Sequence, residues 1–126
     1  MGQAVIESGR AEFALEAVKK VVDTENDQTR KEYRIYIKKF PLLALSNGLA
    51  AAVAFAQDKG GTWGIVYDNI ANWLIKNGYF AKPTRLLDYV CSLDSDTYRV
   101  VTNETLALFG WLCRLAGGLI EGAEDE

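Results

Sequence analysis

The spacing of apolar residues restricts this chain more than any other property. Matches at intervals of three and four recur along nearly its whole length, whereas the strict alternation of a half-buried strand fails after a few positions. A stripe at that interval lies along one side of a helix and does not fit one face of a strand. The first predicted helix covers residues 3–22, with Phe13, Ala14, Ala17, Val18 and Val21 on one side and a polar run at its end. The second covers 27–40. Pro41 suits a first helical turn, where its missing N–H costs little, and opens a third helix that continues to residue 58 before Lys59-Gly60-Gly61 stops it. A fourth spans 63–76, with Val66, Ile70, Trp73 and Leu74 inward and Asn77-Gly78 as its C-cap. Pro83 and Thr84 open a short fifth through Leu93. Asp94 or Ser95 caps a sixth that runs to Ala116 and frays at Gly117-Gly118.

The expected architecture is all-α: a compact bundle of five to six helices with a buried central helix. Residues 1–120 form the single helical domain, and 121–126 an acidic, disordered tail. The third helix is the expected centre. Its small residues, Ala44, Gly48, Ala51, Ala52, Ala54 and Ala56, let neighbours approach closely, while Leu42, Leu45, Leu49, Val53 and Phe55 fill the gaps. Asn47 then sits at a crowded position, bonded to a neighbouring loop or touching a ligand.

Composition removes several chemistries. The 126 residues include no histidine, so Ser-His-Asp and Cys-His nucleophile systems and His-containing zinc sites are closed to this chain acting alone. Asp58, Asp68, Asp88 and Asp94 are dispersed, without the paired spacing that acid and base roles require, and read as caps and surface charges. Neither GxxxxGK[ST] nor GxGxxG occurs, and no cofactor is expected. Gly61-Thr62-Trp63-Gly64 matches the GXXG string of KH modules but lacks their strand context, and reads as a helix–helix loop. Cys91 and Cys113 form no CxxC pair and no signal-peptide pattern stands at the start, which favours a reduced cytoplasmic interior over a disulfide. The longest apolar stretch, 42–56, is interrupted and shorter than the ~20 residues that cross a bilayer, so no membrane is expected as a partner.

The net charge of −3 argues against a polybasic binder, but it is an average over unlike regions. Glu121, Glu124, Asp125 and Glu126 lie in the last six residues; with them set aside, 14 basic residues face 13 acidic ones. Residues 30–39 carry Arg30, Lys31, Arg34, Lys38 and Lys39 against one acid, Glu32, a local +4. On a helix, Tyr33, Tyr36, Ile37 and Phe40 share one side and the cations gather on an adjacent arc. Arg30, Arg34 and Lys38 repeat every fourth residue, about 6 Å apart along the axis, close to the phosphate spacing of an extended strand. The arc is either a phosphate-contact surface or a solvated face; its like-charge repulsion tells against the second. On the sixth helix, Val100, Ala107 and Trp111 fall together outside the main core stripe. Trp111 packs on a neighbouring helix or anchors a protein contact, with Arg99 and Arg114 on the polar face beside it.

Phe40-Pro41-Leu42-Leu43, Ser46-Asn47-Gly48-Leu49 and Ala54-Phe55 follow a Pro-x-x-I/L…N-G-L…A-F pattern. Tyr98-Arg99, Thr102, Glu104, Leu106, Leu108, Trp111-Leu112, Arg114 and Ala116 follow Y-R, T-x-E and W-L-x-R. With Trp73-Leu74 between them, these segments resemble, over residues 11–119, the small subunit of type III-B (Cmr) CRISPR effector complexes. The resemblance implies a non-catalytic helical subunit that stacks in several copies along an RNA-guided antiviral effector. Its implied partners are the other subunits, copies of itself, the CRISPR RNA and the target RNA. It makes Arg34, Lys38, Lys39, Arg99 and Arg114 the leading phosphate contacts, with Arg30 and Lys31 behind them, and Val100, Ala107 and Trp111 a subunit interface. Cys113 stands where that family often has a basic residue, which interrupts the cationic run between Trp111 and Arg114. The competing expectation, supported by the net charge and acidic tail, is a helical protein–protein adapter without nucleic-acid contact.

Overall fold

The computed structural model describes residues 2–122, with side chains from residue 9 onward. Among the described residues the chain forms six α-helices and no strand: α1 (Gly2–Thr24), α2 (Asp27–Asn47), α3 (Leu49–Lys59), α4 (Thr62–Lys76), α5 (Leu86–Cys91) and α6 (Ser95–Leu119). Side-chain caps fix two starts. The Asn26 carboxamide accepts from the Thr29 N–H at 2.8 Å, and the Asp94 carboxylate accepts from the Thr97 N–H at 2.8 Å. The hydrogen bonds from Thr97 hold the Asp94 carboxyl below the usual carboxylate range. Between α3 and α4 the chain turns through Gly60 (φ 62°) and Gly61 (φ 55°), conformations that a side chain rarely tolerates. Of the GXXG string only Gly61 belongs to this turn; Thr62, Trp63 and Gly64 form the first turn of α4, a correction to the expected helix–helix loop.

α6 packs along α1 and α2, α2 also meets α3 and α4, and α3 packs against α4 and α5. The core contains Tyr33, Ile37 and Phe40 of α2, Ile70 and Leu74 of α4, and Leu108, Phe109 and Leu112 of α6. Phe40 and Phe109 stack with ring centroids 4.7 Å apart. The buried Tyr33 hydroxyl donates to Asn69 Oδ1 at 2.6 Å, so neither polar group enters the core unsatisfied. Burial pushes this phenol well above its ordinary pKa.

The second and third helices divide differently from the sequence expectation. α2 continues through Pro41 to Asn47. A proline inside a helix supplies no N–H to the carbonyl four residues earlier, here Ile37. The Cys113 thiol of α6 meets that carbonyl, with its Sγ 3.4 Å from the oxygen. Tertiary packing therefore satisfies the acceptor that proline strands, and the helix need not stop.

The break comes instead at Gly48, whose φ is 95°. A Cβ at Gly48 would lie 3.2 Å from the Tyr98 hydroxyl oxygen, and that oxygen accepts the Ala50 N–H at 2.9 Å. Tyr98 thus caps the start of α3 from another helix. The expected central helix is split accordingly. Leu49, Ala52, Val53 and Ala56 of α3 are buried, as close packing requires, but Leu42 and Leu45 sit on the outside of α2 at 66% and 70% exposure. Asn47 is exposed too, and the crowded position belongs to Gly48. Phe55, expected inside, is at the surface edge of α3.

α5 is shorter than expected, and α6 continues through Gly117-Gly118 to Leu119. Residues 123–126 of the acidic segment lie outside the described residues; Glu121 is exposed.

Arg10, Trp73 and Glu104 tie α1, α4 and α6 together. Arg10 donates from Nε and Nη2 to the two Glu104 oxygens, each at 3.0 Å, and Trp73 Nε1 donates to Glu104 Oε2 at 2.8 Å. The Arg10 and Glu104 side chains are only 15% and 14% exposed, so this is a paired, largely covered charge. Burial by itself would raise the Glu104 pKa, but the hydrogen bonds from Arg10 and Trp73 and the Arg10 charge outweigh it and hold the carboxyl below its ordinary value.

Candidate nucleic-acid and subunit interfaces

With Tyr33, Ile37, Phe40 and Ala44 turned to the core, the period of α2 places Lys31, Ile35, Lys38, Leu42 and Leu45 on the opposite side. The predicted row Arg30, Arg34, Lys38 is not uniform. Arg30 Nη1 donates to Glu25 O at 2.6 Å and Val22 O at 3.3 Å, closing the C-terminal end of α1 with a cation where carbonyls lack helical partners. Its Nη2 is 3.8 Å from Asp27. Arg34 Nη1 donates to Ile120 O at 3.0 Å, and Gly122 lies so near the guanidinium that a Cβ there would collide with it. Both arginines help hold the ends of α1 and α6.

The lysines have the more open positions. Lys31, Lys38 and Lys39 are exposed, and Lys31 pairs with the exposed Asp27 at 3.3 Å, a contact worth little in solvent. These three lysines, Arg34, Ile35 and Leu42 line a groove of about 400 Å³. From α6, Arg114 reaches the same neighbourhood: burial raises the Cys113 pKa, while Lys38 and Arg114 act on that thiol in the opposite direction. Lys31, Arg34, Lys38 and Lys39 thus share one groove on α2, and Arg114 of α6 stands beside it, next to the Cys113 thiol that meets the Ile37 carbonyl. Arg99 is exposed fifteen residues earlier on α6, which separates it from Arg114 by about 22 Å along the axis.

Val100, Ala107 and Trp111 do share one side of α6. Val100 is 52% exposed, whereas Ala107 and Trp111 are partly buried. Trp111 packs against the edge of the core and carries the Arg114 guanidinium 5.2 Å from its ring centroid.

Sequence reasoning missed a recess beside the lysine face. Glu32, Tyr36, Lys39 and Leu43 of α2 line it with Phe55 and Lys59 of α3 and Thr62 and Trp63 of α4, enclosing about 460 Å³. Tyr36 stacks on Trp63 at 4.4 Å, and Phe55 meets Trp63 edge-on at 5.1 Å. Glu32 accepts from Thr62 Oγ1 at 2.6 Å and Gln28 Nε2 at 3.0 Å, bonds that hold its carboxyl below the usual range. A faint signal was present in the sequence: Glu32, Tyr36, Lys39 and Leu43 form their own i, i+4, i+7, i+11 stripe beside the core stripe. Among the described residues no cluster of acids or cysteines is arranged to hold a metal ion, and no helix is long and apolar enough to cross a membrane.

The described residues define an all-α six-helix bundle with exposed lysines along the outer face of its second helix. The profile of the CRISPR-associated protein family Cas_Cmr5 matches residues 6–119. The fold also matches the crystal structure of a CRISPR-associated Cmr5 family protein from Thermus thermophilus. That match has 28% identity and a TM-score of 0.79, covering 92% of this chain and 98% of that one. The chain belongs to the Cmr5 family, the small subunit of the type III-B Cmr complex, and family membership gives it the other Cmr subunits as partners.

Proposed function

We propose that the chain is a non-catalytic cytoplasmic subunit that lines the guide/target RNA groove of the Cmr effector in antiviral defence. It contacts RNA phosphates and packs against neighbouring subunits, including copies of itself. The observation that carries this reading is the outer face of α2, where Lys31, Lys38 and Lys39 are exposed beside the better-anchored Arg34. Such a face supplies phosphate affinity and register, while guide–target pairing supplies sequence choice. Arg114 extends the face from α6. Arg30 contributes mainly to the end of α1, and Arg99 makes a separate contact.

The test is a Cmr complex reconstituted with Lys31→Ala, Lys38→Ala and Lys39→Ala together. Assembly is expected to persist while target-RNA affinity falls. The slope of log affinity against log salt should become shallower by roughly 0.7–0.9 for each lysine that meets a phosphate. An unchanged affinity and slope with assembly intact would falsify the phosphate contact.

The adapter reading draws support from Ile35, Leu42 and Leu45, three exposed apolar side chains on the same helix. It predicts that Leu42→Ser with Leu45→Ser impairs assembly and that the lysine variant changes nothing. Trp111→Ala tests the Val100-Ala107-Trp111 edge: a folded chain that no longer co-purifies with the other subunits supports an interface, and an unfolded one assigns Trp111 to the core.

A further inference from the structure

The recess between α2, α3 and the first turn of α4 combines features that helix packing alone does not require. Tyr36 and Trp63 are explained by their mutual stack, which fastens α2 to α4. Phe55 retains an exposed surface, and what lies over its ring is the ammonium of the exposed Lys59, 5.5 Å from the centroid. A flat π-system can take that place while the ammonium moves to a nearby negative charge, since the cation–π contact at an exposed site is weak. Lys39 lines both this recess and the lysine groove on the outer face of α2, so the two lie side by side with its ammonium between them.

We propose that this recess receives one unpaired base of an RNA strand whose phosphates follow the lysines of α2, with Phe55 as the stacking platform. The proposal rests on the phosphate-contact reading above and adds a second mode of contact to it. The occupant follows from size and charge. About 460 Å³ is the scale of a small-ligand site, and a paired helix cannot enter it. Lys39 and Lys59 at its margins complement the phosphates flanking a single nucleotide. Aromatic surface beside a cationic track is how proteins hold single strands, because every base has a π-face.

Glu32 adds a preference. Each of its oxygens accepts one hydrogen bond, from Thr62 and from Gln28, and has acceptor capacity left. A carboxylate accepts from the amino groups of adenine, cytosine or guanine, whereas uracil offers its N3–H only between two carbonyl oxygens that the carboxylate repels.

The experiment measures binding of fluorescently labelled ten-nucleotide oligoadenylate and oligouridylate to the full chain at low salt by anisotropy. Wild type, Phe55→Leu, Phe55→Trp, Glu32→Gln and the paired Lys31→Ala, Lys38→Ala variant are compared after circular dichroism establishes their folding. Phe55→Leu is expected to weaken oligoadenylate binding about tenfold with an unchanged salt slope, since a stacked base and not a phosphate contact is lost. Phe55→Trp retains the affinity, and Glu32→Gln reduces the preference for oligoadenylate over oligouridylate. The lysine variant lowers both affinity and slope.

If a folded Phe55→Leu binds as wild type does while the lysine variant is impaired, the recess is overturned and the phosphate face stands. If Phe55→Leu instead leaves RNA binding intact and loses co-purification with other subunits, the recess is a protein contact. Failure of wild type to bind either RNA overturns the recess, while the phosphate face is decided by the reconstituted complex. Should Phe55→Leu not fold, a folded Phe55→Trp with lost affinity overturns the platform equally well.

Discussion

Charged residues have opposite roles on two sides of this bundle. Between α1, α4 and α6, Arg10 and Glu104 are largely covered, meet through two hydrogen bonds and share the carboxylate with Trp73. On the outer face of α2, Lys31, Lys38 and Lys39 are exposed, and the ion pair of Lys31 with Asp27 is itself in solvent. The first arrangement fixes helices because removing one partner leaves a poorly hydrated charge. The second adds little to the stability of the chain and keeps its charge at the surface, where a partner can reach it. Residue type alone does not separate them; burial does.

The sharpest way to break this contrast is at Glu104. Glu104→Ala removes two hydrogen bonds of Arg10 and the acceptor of the Trp73 N–H and is expected to cost about 2–3 kcal/mol in urea unfolding. The same carboxylate sets an acid dependence. Its folded pKa lies below the ordinary glutamate value, so on acidification the unfolded chain takes up this proton first. Its stabilisation is complete above the ordinary range and declines as the pH falls through that range towards the folded value. Glu104→Gln should flatten this acid limb in pH-dependent melting.

A smaller effect is expected where α2 and α6 meet. Cys113→Ala leaves the Ile37 carbonyl unsatisfied and should cost about 1 kcal/mol. In a Pro41→Ala background the helix can donate its own N–H to Ile37, and the same substitution should then be close to neutral. A double-mutant cycle that shows no coupling would remove the thiol from the account of Pro41.

The smallest stability change belongs to the exposed face. The triple lysine variant should unfold within about 0.5 kcal/mol of wild type, as surface substitutions usually do. A large loss would mean that these lysines support the fold as Arg30 and Arg34 do, and the contrast between the two sides would fail.

Much of the fold was legible because its signals are local. The Asp94 cap, one of the two the sequence offers for α6, the Gly60-Gly61 turn and the Asn77-Gly78 end of α4 are all where the sequence places them. Pro41 misled for an equally physical reason. A proline reads as a helix start when the missing N–H has no remedy, and here the remedy is Cys113, seventy-two residues away in sequence. Moving the boundary by seven residues turned Leu42 and Leu45 from expected core to surface. Within the site, the cationic arc was visible as a pattern, but a helical wheel does not show that Arg30 and Arg34 turn onto backbone carbonyls. It shows still less of the recess, which needs three helices to bring Glu32, Phe55 and Trp63 to one place.

The sequence by itself determined the all-α class, most helix ends and the concentration of positive charge on one helix, because propensity, capping and periodicity act over a few residues. Tertiary structure decided which cations remain exposed, that α2 passes through its proline, and that aromatic side chains from three helices meet beside the lysines. Those outcomes depend on donors, acceptors and rings from distant parts of the chain, and their partners exist only once the helices have packed.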